Sequence, residues 1–337
     1  MLSLETLQRN MVEVVTPEEV SAVGDRDLKA YIGFEPSGIP HIATGLMWPR
    51  KLNDLVEMGV DVTVLLADWH AKINDKLGGD LSKIRASGNL IRECMLAVGL
   101  SSRVKFIWAQ DLVSDTEYWA KLLDVAKHLG LPRIRRALPI MGRSEDEADK
   151  DFSKYIYPIM QVTDIMFMDL DIALGGMDQR HAHMLQRDVA EKMNARKVIA
   201  VHGPLLGSLK GQGRMDTFQK MSKSDPDSAV LMSDTTDDLR RKIRASFCPA
   251  GLVDGNPVMD IFRHVIFPYS GADIEIERPP SKGGVIAFHD YRQLEYEYSR
   301  GNIHPADLKD AAVRYLDLLI SPARHLFRQE RIISSSE

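Results

Sequence analysis

Five short runs, KAYIGF (29–34), DVTVLLAD (61–68), RVKFIWAQ (103–110), LDIALGG (170–176) and KVIAVHG (197–203), are apolar almost throughout and rich in Val, Ile and Leu. A strand buried on one face alternates apolar with polar residues, whereas a strand covered on both faces reads as a continuous apolar run. Longer helical patterns separate the five, and parallel strands need crossovers of that kind. The pattern predicts a doubly wound α/β domain on a parallel sheet. Ligands of such sheets bind beyond the carboxyl ends of the strands. Three segments rich in polar and turn residues fall there, EPSGIPHIATG (35–45), DWHAKIND (68–75) and GGMDQRHAH (175–183), and are expected to converge on one cleft.

Between the third and fourth runs the spacing is longer and helical, with TEYWAKLLDVAKHLG (116–130) followed by LPRIRRALPIMGRSEDEADKD (131–151). This reads as a helical insertion over about 111–150. After Asp225 the strand signals fade and helical periodicity dominates. The fold expected is therefore a Rossmann-like catalytic domain over 1–227 and an all-α domain over 228–337. At 337 residues and 44% hydrophobic content the chain has material for two cores. Its formal charge of −5 neither favours nor excludes RNA, because phosphate contacts depend on local clusters of Lys and Arg. Cys94 and Cys248 have no ligand-spaced partners, so no disulfide framework or zinc site is expected, and a reducing cytoplasm fits. MLSLETLQRNMVEVV (1–15) reads as an amphipathic helix, not a signal peptide, and no run is long enough to span a membrane.

Two stretches carry chemistry. In QKMSKSDPDS (219–228), Lys220 and Lys223 stand among small hydroxyl residues. Such a loop can close over a triphosphate and neutralise a departing pyrophosphate, or it can be a solvated loop in which Ser222 and Asp225 cap a helix. In IYPIMQVTDIMF (156–167), Pro158 suits a first helical turn, and Tyr157, Gln161 and Asp164 then fall at i, i+4 and i+7 on an apolar helix. Unpaired buried polar groups cost about 1–3 kcal/mol each, so this stripe needs partners, either protein groups or a polar small molecule. His70 lines a pocket or packs in its loop. His181 and His183, two apart, do not share a helix face and are not read as a metal pair.

Lys220-Met221-Ser222-Lys223-Ser224 resembles the second fingerprint of class I aminoacyl-tRNA synthetases. The first fingerprint, His-x-Gly-His after the first strand, is matched by His41-Ile42-Ala43-Thr44, with alanine and threonine at its third and fourth places. From about Tyr31 to Lys309 the chain is similar to the tyrosine branch of archaeal and eukaryotic type. That resemblance implies a substrate phenol held by Tyr31 and Asp164, and an amino end held by Tyr157, Gln161 and Gln179, with His70, Gly33 and Glu35 in the same pocket. It implies ATP contacts from His41, Thr44, Gly176, Asp178, Met221, Ser222 and Lys223, with Mg²⁺ on the ATP phosphates, and catalysis by His41, Lys220 and Lys223. Arg133, Arg135 and Arg136 correspond to a region that touches the tRNA acceptor stem, though such clusters are also ordinary solvated faces. The apolar helix with Trp119, Leu122 and Leu123 corresponds to a homodimer contact, or is plain core. In NIHPADLKDAA (302–312), His304, Asp307 and Lys309 match an anticodon-reading segment, while Asp307 also suits the positive end of a helix dipole.

The implied reaction is activation of tyrosine by ATP followed by transfer to tRNA(Tyr). Rival readings are a tryptophan-specific relative, an inactive synthetase-like RNA-binding protein, and a generic ATP-using transferase. The last lacks any Gly-x-x-x-x-Gly-Lys loop.

Overall fold

The computed structural model describes residues 2–24, 26–142, 151–211, 221 and 225–327. Its main sheet has six strands, β1 (Glu13–Val15), β2 (Lys29–Phe34), β3 (Asp61–Leu66), β4 (Lys105–Trp108), β5 (Ile172–Gly176) and β6 (Ile199–Gly203), in the order β1-β6-β5-β2-β3-β4. All five apolar runs form strands, and these five pair in parallel. β2 pairs with β3 on one side and β5 on the other, so the direction of winding reverses at β2/β5. Tyr31 stands at this switch point, opposite Thr63 and Ala173.

The N-terminal segment departs from the expected single helix. The helix covers only Leu4–Gln8, capped by the Ser3 hydroxyl, which accepts the Thr6 N–H. Asn10 then takes a left-handed φ of 58°, and β1 follows antiparallel to β6, with Glu13 opposite His202. Periodicity over so short a stretch does not separate helix from strand. Here pairing with the β6 edge decides for Val14 and Val15.

The insertion is helical where it is described, with Thr116–Lys127, Leu131–Arg135 and a 3₁₀ turn at Leu138–Met141. Tyr118, Leu122 and Val125 form its inward stripe and share one core with Tyr31, Tyr157 and Ile165. Pro158 lies further into its helix than the first turn, because Ser153–Phe167 begins five residues before it. Proline has no N–H to give the Lys154 carbonyl, and separately the Lys154 ammonium donates to Asp75 at 3.1 Å.

The chain forms two compact units, one of residues 1–38, 52–89 and 101–204, the other of 39–51, 90–100 and everything from Leu205 onward. The main sheet belongs to the first. Residues 39–51 group with the second because Ile42 N–H donates to Val230 O, Met232 N–H to Pro40 O, and Tyr269 Oη to Leu46 O. The second unit carries helices Thr236–Ala245, Tyr291–Ser299 and Pro305–Ile320, and a helical run Pro257–Ile261, Phe262–Ile266 and Phe267–Tyr269 with a π turn at its centre. To these it adds a two-stranded antiparallel ladder, β7 (Ile274–Ile276) with β8 (Ile286–Phe288). Three-residue strands are too short for alternation to show in sequence. Among the described residues no helix is long and apolar enough to cross a membrane.

Candidate active site

Helix Ser153–Phe167 places its polar stripe against the switch point of the sheet. Asp164 is 1% exposed. Its Oδ1 accepts the Tyr118 hydroxyl at 2.7 Å, while Oδ2 has no hydrogen-bond donor. His70 Nε2 stands 3.1 Å from Oδ2 but is poorly aligned, so it makes an ionic contact without a hydrogen bond. Burial, reinforced by the Asp164 charge, pushes the Tyr31 and Tyr118 hydroxyls well above the usual phenol range. Burial alone would lower His70, but the charge and contact of Asp164, with Glu35 and Asp68, outweigh it and raise the ring above its ordinary value. Asp164 therefore sits among phenols that stay protonated, with one oxygen satisfied and one left for a ligand donor.

A second acceptor lies one turn back along the stripe. Gln161 Nε2 donates to Gln179 Oε1 at 3.2 Å, and Gln161 Oε1 is buried without a donor. Gln179 in turn donates to Ile140 O at 3.2 Å. Gly175 makes room for this arrangement: a Cβ there would fall 2.9 Å from Gln179 Cβ and 3.3 Å from His183 Cε1. Tyr157 is held above the usual phenol range by burial and by the charge of Glu35, and its ring meets His70 edge-on at 5.0 Å. Asn74 Nδ2 reaches both Glu35 oxygens, at 3.1 and 3.0 Å, and Met141 O at 3.0 Å. Helix Asp68–Ile73, which carries His70, is fixed by buried Asp68, whose oxygens accept from Arg85 Nε at 2.9 Å and Gln110 N–H at 3.1 Å. Gly33 follows Tyr31 by two residues on β2, and Gly176 and Asp178 stand at the end of β5.

His41 and Thr44 belong to the second unit. His41 Nδ1 accepts the Ala43 N–H at 3.2 Å, so a neutral ring carries its proton on Nε2, a donor suited to an anionic oxygen. Thr44 is buried in the π turn Ala43–Met47. Lys220, Ser222 and Lys223 lie outside the described residues, whereas Met221 is buried and donates its N–H to Leu206 O at 2.9 Å.

The family model of class I tRNA synthetases for tryptophan and tyrosine matches residues 24–320. The tyrosine–tRNA ligase of Picrophilus torridus is 56% identical over 322 residues, covering 96% of this chain and 98% of that one. The chain belongs to the tyrosine branch of the class I tRNA synthetases. Among solved structures, the tyrosyl-tRNA synthetase of Aeropyrum pernix matches with a TM-score of 0.88 at 45% identity, over 98% of this chain and 96% of that one. The enzyme of Pyrococcus horikoshii, complexed with L-tyrosine, matches with a TM-score of 0.89 at 35% identity, over 97% and 96%.

Within this synthetase the residues expected at tRNA are variously engaged. Arg133 pairs with Asp188, Arg135 lies over the Tyr155 ring at 6.0 Å, and Arg136 is exposed. His304 Nδ1 accepts the Ala306 N–H at 3.1 Å and so caps Pro305–Ile320, placing Asp307 in its first turn. Lys309 donates to the carbonyls of Arg244 and Ser246, at 2.9 and 2.7 Å, which leaves one of its three ammonium protons for a further partner. On the insertion helix, Leu122 is core, while Trp119 and Leu123 are 47% and 65% exposed. Two members of the site escaped the sequence reading, Tyr118 and Asn74. Tyr118 stands on the inward stripe with Leu122 and Val125, a periodicity visible in sequence, but its polar end acquires a role only through Asp164, 46 residues away.

Proposed function

We infer that the chain is a tyrosine–tRNA ligase: the tyrosine carboxylate attacks the α-phosphorus of ATP, pyrophosphate leaves, and a ribose hydroxyl at the tRNA 3′ end then takes the tyrosyl group with release of AMP. One observation carries the amino-acid assignment. A buried carboxylate oxygen, Asp164 Oδ2, has no hydrogen-bond donor beside the neutral hydroxyl of Tyr31, and the buried Gln161 Oε1 likewise lacks one. A phenol hydroxyl satisfies the first and an ammonium the second. Tyr157 and Gln179 support the amino end, and His70, Gly33 and Glu35 complete the pocket. Tryptophan has no hydroxyl for Asp164 and would leave that oxygen orphaned.

No step requires a protein nucleophile, so catalysis rests on positioning and on stabilising phosphate charge. His41, Thr44, Lys220, Met221, Ser222 and Lys223 serve the phosphates, and Gly176 and Asp178 the ribose. Mg²⁺ arrives with the ATP, held by phosphate oxygens and water. Catalysis is assigned to 1–227 and anticodon reading to 228–337. The protein works in the cytoplasm as a homodimer joined through the exposed Trp119 and Leu123, with Arg133, Arg135 and Arg136 near the acceptor stem. ATP–pyrophosphate exchange run with tyrosine, tryptophan and phenylalanine in turn tests the whole reading. Exchange with tyrosine alone is expected. Exchange with tryptophan establishes the rival specificity, and none with any amino acid, alongside retained tRNA binding, establishes an inactive RNA-binding protein.

Two further results are expected. Tyr118→Phe removes the hydrogen bond that fixes Asp164 Oδ1, so the carboxylate is held less well for the substrate hydroxyl and kcat/KM for tyrosine should fall, by about tenfold. Phenylalanine, which never uses Asp164 Oδ2, should be affected far less. Equal losses with both amino acids would reduce Tyr118 to a packing residue. Asp307→Ala should lower charging at subsaturating tRNA by about tenfold or more, the size of a lost base-edge contact, with ATP–pyrophosphate exchange intact. Unchanged charging would leave Asp307 a helix-terminal residue only.

A further inference from the structure

A lysine is buried in the second unit where no substrate group has been assigned. Lys242, on helix Thr236–Ala245, is 5% exposed. Its ammonium lies 2.8 Å from each oxygen of Asp234, itself buried, and 3.1 Å from Ala229 O. Asp234 Oδ2 also accepts the Leu231 N–H at 3.0 Å, and the Asp234 carbonyl accepts Arg324 Nε at 2.9 Å. Residues 229–234 are thus folded around one desolvated cation. Burying such a pair gains little over a well-packed apolar pair, so what it gives the fold is a defined backbone geometry.

That backbone is the one against which the His41 turn is built. Val230 O accepts the Ile42 N–H at 3.0 Å, the Met232 N–H donates to Pro40 O at 2.9 Å, and His41 stands opposite Leu231 in an antiparallel bridge. Gly45 lies over Met232 so closely that a Cβ would come 2.4 Å from Sδ. The ammonium and carboxylate hold Ala229 and Leu231 on one side, and Val230 and Met232 hold Pro40 and Ile42 on the other.

We propose that Lys242 and Asp234 are positioning residues for adenylate formation, setting through residues 229–232 the place of the His41–Thr44 turn. This rests on the reading of that turn as an ATP contact. The pair therefore acts on the nucleotide half of the reaction and not on tyrosine binding, whose residues lie in the first unit.

The test uses the full chain carrying Lys242→Met, Lys242→Arg, or the double change Asp234→Asn with Lys242→Met, which leaves no buried charge without its partner. Tyrosine binding is measured by calorimetry without ATP, and KM for ATP and the adenylation rate are measured in single turnovers. Lys242→Met should lower the adenylation rate over KM for ATP at least tenfold, with the tyrosine dissociation constant within twofold of the parent, and Lys242→Arg should recover part of the loss. Should the single variant fail to fold, the double variant is expected to show the same ATP-side loss. Parent-like ATP use in a folded variant, or tyrosine binding falling in step with ATP use, overturns the proposal. His41→Ala separates the two failures. A large ATP defect there beside parent-like Lys242 variants refutes the positioning role alone, and a parent-like His41→Ala refutes the reading beneath it and the proposal together.

Discussion

Asp164→Ala is expected to erase the preference for tyrosine over phenylalanine. A site that hydrogen-bonds a substrate hydroxyl rejects the analogue lacking it by about 10⁴–10⁵, a size known from a tyrosyl-tRNA synthetase and borrowed from that enzyme. The structure gives the reason such a ratio is attainable. Asp164 is desolvated, one oxygen is committed to Tyr118, and the other has no hydrogen-bond donor until a ligand brings one. Phenylalanine leaves that oxygen with only the poorly aligned ionic contact of His70 Nε2, and the cost of a charged acceptor without a hydrogen bond is what discriminates. Alanine removes the acceptor, so phenylalanine no longer meets the penalty and tyrosine no longer gains the bond. Asp164→Asn gives a second reading, because it keeps the size of the side chain and some capacity for Tyr118 while deleting the charge. Exchange kinetics with both amino acids decide it. A ratio unchanged in Asp164→Ala would place the phenol elsewhere.

The strands were legible as short continuous apolar runs set between longer helical patterns, and the Tyr157–Gln161–Asp164 stripe as a helical period on an otherwise apolar segment. β1 was not, since three residues carry no period and Val14 and Val15 become a strand only by pairing with Val201 and Ala200. The proposed phenol clamp was legible in two of its members and not in its third. Tyr31 and Asp164 follow from the resemblance, whereas Tyr118 reaches Asp164 across the packing of two helices. Asn74 is hidden in the same way, because a buried amide is explained only by the Glu35 oxygens and the Met141 carbonyl it bonds. Gly175 shows how an explanation changes. A missing Cβ can serve a ligand's close approach, but here the space a side chain would take is filled by Gln179 and His183. The grouping of residues 39–51 with the C-terminal part is likewise invisible locally, for it depends on hydrogen bonds to Val230 and Leu46, about 190 and 220 residues from their partners.

Lys220→Ala and Lys223→Ala are each expected to slow adenylate formation by roughly 10²–10³, the usual cost of losing one preorganised group that meets charge developing in a transition state. The chemistry singles out this pair. When the α-phosphorus is attacked, negative charge accumulates on the departing pyrophosphate, and Lys220 and Lys223 are the two ammonium groups assigned to the phosphates. Two ammonium groups on this segment suit that charge better in the transition state than in ground-state ATP. Their effect should accordingly fall on the rate and not on tyrosine affinity. Met221, between them, is buried with its N–H on Leu206 O, so the chain is tethered at the residue the two lysines flank. A tether of that kind makes the cost of each substitution specific to the lost charge, since neither alanine removes the anchor. The double variant should lose less than the product of the single losses, because the two groups act on one charge. Single-turnover rates with saturating tyrosine and ATP measure this directly. Normal adenylation rates combined with weakened tyrosine binding would give the segment a different task, and would return the work on pyrophosphate to His41 and its turn.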